Sequence, residues 1–435
     1  MVKSKEISPA RLAAFRILQQ VENGAFSSVL LAAEEPSLKP ADRALCHELV
    51  LGVLRWQLRL DKIVEHFSKR RTESLDQAVR IALRLGLYQL HYLTRIPASA
   101  AVNESVSLVR HARLGSATAF VNAVLRRAIK EADYDPAAGF SDPLARIAIQ
   151  TSHPFWLIER WANAFGISEA EAFAQANNAV PPTAFRVVKN RANEAEVVSR
   201  LRAGGAEVEP SQVAEGAWRV VGSTSLVREL SAEGEIYLQD EASQLVAQVL
   251  SVKPGERVLD LCAAPGGKTT LMADDADDKA MIVAADRSAS RMETVIDTTR
   301  LHQLQSINPV LLDAAEQLPF RSCVFDKVLV DAPCSGTGTL RRNPEIRWRL
   351  TAQDIGAFAA VQKQILSRAA DAVKPGGRLV YSTCSVEREE NEEVIEEFLA
   401  QQNFYLLDTV RTWPHRQRCD GFFIASFERK KLTSA

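Results

Sequence analysis

From about Gly234 onward the chain alternates between short apolar runs of strand character and longer runs of helical periodicity. The strand-like runs are residues 257–261, 281–285, 309–312, 327–330 and 378–382, and helical runs at 269–274, 288–303 and 354–373 lie between them. Parallel strands need a crossover helix, so this alternation predicts a doubly wound, Rossmann-like α/β domain over residues 234–435. The closing run Gly421-Phe422-Phe423-Ile424-Ala425-Ser426-Phe427 reads as an extra edge strand.

The preceding residues follow other patterns. A chain of 435 residues is too long for one ordinary core. Residues 1–140 read as an all-helical domain. Within it, residues 75–94 are almost wholly apolar except for Arg80, Arg84, Gln89 and His91, which predicts a buried helix with a narrow wet stripe. Residues 117–129 repeat the helical spacing with Phe120, Val121, Val124, Leu125 and Ile129. The stretch 133–143, rich in proline, glycine and aspartate, reads as a link. Residues 145–233 predict a small α/β domain, with a helix at 156–165, a break at Pro181-Pro182, a strand at 185–189 and a helix at 194–203 stopped by Gly204-Gly205.

No apolar run approaches the roughly 20 residues of a membrane span. The start, Met1-Val2-Lys3-Ser4-Lys5-Glu6, has no apolar signal core, which argues against secretion. Six cysteines without framework spacing argue for reduced thiols, hence a cytoplasmic location. No Cys-x-x-Cys or His-x-x-x-His pair occurs, so no metal is expected. The net charge of −1 leaves any polyanion contact to local basic clusters.

The functional signals sit where the strands end. Cys262-Ala263-Ala264-Pro265-Gly266-Gly267-Lys268-Thr269 follows the first strand run. It lacks the first glycine of a phosphate-binding P-loop, whose position is Cys262, and it lacks G-x-G-x-x-G. Its glycines suggest a backbone that a ligand approaches closely. Asp286, Asp313 and Asp331 end later strand runs, with Arg291 close after Asp286. A carboxylate at the Asp286 position suits ribose hydroxyls, and Asp313 suits an adenine amino group. Each aspartate alone is as well explained as a helix cap. Together with the loop they favour an adenosine cofactor, and S-adenosylmethionine fits best because no phosphate cradle is present.

Two cysteines complete the rim: Cys334 in Asp331-Ala332-Pro333-Cys334-Ser335-Gly336, and Cys384 in Thr383-Cys384-Ser385. Both follow strands, and the residues alone do not decide which one attacks a substrate. Cys46, Cys323 and Cys419 read as buried apolar fillers. With Asp260-Leu261 ahead of the loop and Arg341-Arg342-Asn343-Pro344-Glu345-Ile346-Arg347-Trp348 after it, the last 200 residues resemble the RNA cytosine-5 methyltransferases. The helical region, with Arg11-Leu12-Ala13-Ala14 and Phe120-Val121-Asn122-Ala123-Val124-Leu125-Arg126-Arg127, is similar to the antitermination factor NusB. The pairing resembles bacterial enzymes that methylate a cytosine of 16S ribosomal RNA.

The resemblance implies Cys384 as the nucleophile that adds to cytosine C6, and Cys334 as the thiol for breakdown of the adduct. It also implies Asp331 against the cytosine N3/N4 edge, with Lys268 positioning nearby carboxylates. The DNA cytosine methyltransferases imply the opposite order of thiols, since their nucleophile follows a proline. Arg341, Arg342, Arg347 and Trp348 are expected to contact phosphates and stack on bases of an unpaired or flipped cytosine region. Rival readings are the same reaction on tRNA or DNA, a non-catalytic RNA-binding or antitermination factor, and a P-loop ATPase. The protein is expected to act as a monomer.

Overall fold

The computed structural model describes residues 7–222 and 224–431. The charged start, residues 1–6, lies outside the described residues. The chain divides into two compact units: Met1–Ala179 with Leu340–Arg349, and Val180–Thr339 with Leu350–Ala435.

The first unit is helical. Its core gathers the apolar stripes of the helices Pro9–Glu22, Pro40–Arg55, Gln57–Ser68, Gln77–Tyr92, Ala98–His111 and Thr118–Lys130. Helix Gln77–Tyr92 is buried around most of its circumference and starts at Asp76, whose side chain accepts the Ala78 N–H. The stripe predicted to be wet is wet only in part: Arg80 and His91 are half-buried, while Arg84 is buried in an ion-pair network. Arg84 is buried and donates to both carboxylate oxygens of Asp61 at 2.7 Å and to Glu22 at 2.6 Å, while Arg80 donates to Glu22 at 2.8 Å. A guanidinium inside a core must be paired, and this one has a partner on two neighbouring helices.

The stretch 133–143 runs within this unit, where Asp135 pairs with Arg59 at 3.0 Å and Ala137 is buried. Helices Pro143–Thr151, Phe155–Phe165 and Ile167–Ala176 follow it there. The division comes only after Ala179, just before the Pro181-Pro182 break.

The second unit holds two sheets. The smaller is antiparallel in the order β2 (Glu207–Pro210), β3 (Ala217–Val221), β1 (Thr183–Val187), β4 (Ile236–Leu238), with helices Glu194–Ala203 and Thr224–Ala232 contributing to its core. The larger runs β10 (Phe404–Arg411), β11 (Phe423–Arg429), β9 (Val373–Thr383), β8 (Phe325–Asp331), β5 (Arg257–Asp260), β6 (Met281–Asp286), β7 (Ile307–Leu311). Strands β9 through β7 are mutually parallel, and β11 is antiparallel to both its neighbours.

Alternate residues of each central strand face opposite sides. Leu259, Val328, Val330, Leu379 and Tyr381 pack with helices Ala352–Ala372 and Glu392–Gln401. Val258, Ile282, Leu329 and Val380 pack with helices Glu241–Leu250, Gly267–Asp275 and Ala289–Leu301. Burial on both faces is why these strands read as continuous apolar runs. The closing strand is not at the edge as expected: β10 pairs outside it.

Candidate active site

The order of strands reverses between β5 and β8, and beyond the C-terminal ends of strands at such a switch point open α/β sheets bind their ligands. Around it lie the ends of β5, β6, β8 and β9, which carry Asp260, Asp286, Asp331 and Thr383-Cys384.

The loop after β5 turns at residues 262–267 into helix Gly267–Asp275. Packing alone calls for glycine at 267, since a Cβ there would come within 2.8 Å of the Tyr237 ring on β4. The loop is anchored to the end of β6. Ala264 donates its N–H to Asp286 Oδ2 at 3.2 Å, and Arg291 Nη2 donates to the Ala264 carbonyl at 2.6 Å. Asp286 is buried, and its other oxygen accepts the Ser288 N–H at 3.0 Å. Each oxygen of a carboxylate holds about two lone pairs, so both retain acceptor capacity for a diol. Asp260, which the sequence reading did not single out, accepts Thr269 Oγ1 at 2.7 Å on one oxygen, while its buried Oδ1 has no hydrogen-bond partner among the described residues. Burial pushes its carboxyl up to about 7. These acceptors fit a cationic, hydroxyl-rich ligand such as an adenosyl sulfonium, and the orphaned Oδ1 is suited to a donor that such a ligand brings. Asp313 follows β7 beside this cluster, since the preceding Leu312 donates its N–H to the Asp286 carbonyl at 3.2 Å. It is exposed beyond β7, and its carboxylate accepts the Ala315 N–H at 3.0 Å, as a cap would.

Asp331 ends β8 and bonds in two directions. Its Oδ2 accepts Lys268 Nζ at 2.7 Å, and its Oδ1 accepts Ser382 Oγ at 2.7 Å from the neighbouring strand. Burial alone would lower the Lys268 pKa, but Asp331 outweighs it and the ammonium is held above its ordinary value. Cys384 follows β9 directly, and Cys334 reaches it from the loop after β8, Sγ to Sγ 3.2 Å. The contact with Cys384 and burial together push the Cys334 thiol well up. Burial, with Asp260 and the neighbouring carboxylates, likewise keeps the Cys262 thiol protonated. Of the three cysteines read as fillers, Cys46 and Cys419 are buried and Cys323 is half-exposed.

The predicted RNA-contacting segment behaves differently. Leu340–Arg349 belongs to the first compact unit. Arg341 and Arg347 are buried. Arg347 donates to Asn178 Oδ1 at 2.9 Å and to the carbonyls of Ser152, Asn177 and Leu340. Trp348 gives its indole N–H to the Leu54 carbonyl at 2.6 Å, and Arg55 donates to the Arg341 carbonyl. A wholly buried guanidinium engaged with carbonyls does not meet a phosphate, so Arg347 is a packing residue. Of the four residues expected to meet RNA, Arg342 and Trp348 remain half-buried. The basic run looked like a polyanion contact because sequence alone cannot tell a solvated arginine from one that satisfies a core's orphaned carbonyls.

Comparison with known proteins agrees with this architecture. Residues 247–428 match the family model of the 16S rRNA methyltransferase RsmB/F, residues 8–130 that of the NusB family, and residues 153–226 that of the ferredoxin-like domain of RsmF/B-like methyltransferases. The class is thus a Rossmann-like methyltransferase domain preceded by a ferredoxin-like and a NusB domain. The chain is 34% identical to the probable ribosomal RNA small subunit methyltransferase B of Bacillus subtilis, over 98% of this chain and 100% of that one. It is 37% identical to the ribosomal RNA small subunit methyltransferase B of Pseudomonas putida, over 90% and 89%. Among solved structures, that of PH0851 superposes with a TM-score of 0.84 at 30% identity, covering 98% of this chain and 99% of that one. The methyltransferase homolog protein from Pyrococcus horikoshii gives 0.60 at 27% identity, over 67% and 100%. The chain belongs to the family of the ribosomal RNA small subunit methyltransferases B.

Proposed function

We propose that the protein methylates C5 of a cytosine in 16S ribosomal RNA, in the cytoplasm, through a transient bond between Cys384 and C6 of the base. The observation that carries this reading is the meeting of Cys334 and Cys384 at 3.2 Å on the rim that also presents Asp331 and Lys268.

S-adenosylmethionine, the cofactor that the acceptor set at Asp260 and Asp286 suits, supplies an electrophilic methyl carbon when bound. The chain's own residues must make C5 nucleophilic. The Cys384 thiolate forms a bond to C6, and the ring's electron pair shifts towards C5. Asp331, held by Lys268 and Ser382, accepts from the N3/N4 edge and favours a protonated ring, which drains charge from the adduct. After methylation the C5 proton leaves to a base, the electron pair re-forms the C5–C6 double bond, and the C6–S bond breaks. Two thiols in contact suit a division of labour. The Thr383-Cys384-Ser385 context of the family resemblance supports Cys384 as the attacking sulfur. The family names support ribosomal RNA over tRNA or DNA as the substrate.

The test uses labelled S-adenosylmethionine and 16S ribosomal RNA. Cys384→Ala should abolish methyl transfer. Cys334→Ala should instead accumulate an RNA adduct that survives denaturing electrophoresis. An adduct trapped by Cys384→Ala would reverse the assignment, and label found at a carbon other than C5 would overturn the reaction.

A further inference from the structure

The two cysteines come from loops that share no strand pairing at the sulfurs themselves, yet their serine neighbours converge on one buried carboxylate. Glu390, on the turn Arg388–Glu390, is fully buried. Its Oε1 accepts the Ser335 N–H at 2.8 Å and Gln362 Nε2 at 2.9 Å. Its Oε2 accepts both the Ser335 and the Ser385 hydroxyls, each at 2.5 Å. Ser335 follows Cys334, and Ser385 follows Cys384. Gln362 also donates to the Pro333 carbonyl at 2.9 Å, on the other side of Cys334. The next residue, Asn391, donates to the Ser385 carbonyl at 3.0 Å and accepts Thr383 Oγ1 at 2.6 Å.

We infer that Glu390 is a positioning residue that sets the spacing and orientation of the two thiols by gripping the serine beside each. The inference rests on the reading of Cys334 and Cys384 as a working pair. The grip is braced from behind: Gly338 donates to the Cys384 carbonyl at 2.9 Å and accepts the Gly421 N–H at 2.8 Å. A Cβ on Gly338 would stand 2.0 Å from the Gly421 carbonyl oxygen, so the loops touch backbone to backbone. Glu390 touches neither sulfur among the described contacts; its hydrogen bonds act on them through Ser335 and Ser385, and its charge also disfavours the Cys334 thiolate across space. A carboxylate suits this place because it is acceptor-only and offers lone pairs to four donors at once. Glutamine fits the same space. Its carbonyl oxygen replaces Oε1, and its NH2 donates to the serine hydroxyls, which also accept.

The experiment compares full-length wild type with Glu390→Ala, Glu390→Gln, and the pair Ser335→Ala with Ser385→Ala. Two readouts are taken. One is the kcat and KM split for methyl transfer. The other, which needs no catalysis, is the rate at which Cys334 and Cys384 join when a diazene dicarboxamide is added. In that step the two thiols lose two protons and two electrons to form the disulfide, and the diazene gains them as the hydrazine. Peptide mapping after acid quenching follows it. Glu390→Ala and the double serine variant should each slow coupling and lower kcat by tenfold or more. KM for RNA and affinity for S-adenosylmethionine should stay within about twofold. Glu390→Gln should restore most of both. Wild-type coupling in Glu390→Ala overturns the inference, as does a Glu390→Gln variant no better than alanine, or a loss of cofactor affinity parallel to the loss of kcat. If wild type transferred no methyl to C5, the proposed reaction would fail while the coupling rates still judged Glu390.

Discussion

At Asp260 the fold changes the chemistry of an ordinary side chain. An unfolded aspartate titrates near 3.9, whereas burial takes this one up to about 7. Between those values the folded state binds the extra proton, so its contribution to stability is intact below about pH 4 and is lost as pH rises to about 7. Asparagine cannot ionise, and its amide oxygen still accepts from Thr269. Thermal melting from pH 4 to 8 should therefore show Asp260→Asn gaining on wild type as pH rises through this window, then holding a constant lead. A difference that does not vary with pH would place the carboxyl in the usual range.

Residue identity was only partly legible from the chain. Cys334, Cys384, Asp331 and Lys268 stood out because each is a reactive type beside a strand end, and the structure gathers them. Glu390 did not. It lies in Glu387-Arg388-Glu389-Glu390-Asn391-Glu392-Glu393, a run that reads as a solvated charged face. Only the folded backbone separates the buried Glu390 from its half-buried neighbour Glu389.

At the scale of elements, the central strands were legible because both their faces are covered, so their middles are apolar runs such as Val328-Leu329-Val330. The strand β10 was not. Tyr405, Leu406 and Leu407 are exposed, and a bulge between Leu406 and Asp408 breaks its period. Missing it made β11 look like the edge. Helix Gln77–Tyr92 was found, but Arg84 was placed in a wet stripe, because sequence spacing does not reveal that Asp61 and Glu22 lie opposite it. Arg84→Ala removes both hydrogen bonds of the half-buried Asp61 and one of Glu22, and should cost about 3 kcal/mol in denaturant unfolding. The short helix Ile346–Arg349 invites a parallel test. Arg347→Ala removes the donors for several buried carbonyls and should destabilise the protein by about 2–4 kcal/mol. A loss of RNA affinity at unchanged stability would restore it to the nucleic-acid interface.

For the whole molecule, the small sheet is part of the same compact unit as the large one. Arg186 on β1 is buried and donates to Asp274 at 3.0 Å and Thr270 at 2.8 Å, both on the helix that leaves the 262–267 loop. Asp274 also accepts the Lys189 N–H at 3.0 Å. The ferredoxin-like sheet thereby holds the helix behind the cofactor loop. Asp274→Ala strands a buried guanidinium and should lower stability by about 3–5 kcal/mol. Because the pair joins the two sheets, they should unfold in one transition. Separate transitions followed by Trp218 fluorescence and by circular dichroism would contradict that coupling. This partnership was invisible in sequence, where Arg186 and Asp274 lie far apart in patterns that each explain themselves.

The first unit is built from two stretches of chain that the ribosome makes far apart in time. Ser27 gives its backbone N–H and hydroxyl to Glu345, both at 2.9 Å, and Arg349 caps the carbonyls of Val21 and Gly24. While the nascent polypeptide is shorter than this late stretch, those donors and carbonyls have no counterpart from it. At roughly 5–20 residues per second the wait is on the order of ten seconds or more. The N-terminal helices thus emerge with an open seat that only later synthesis fills.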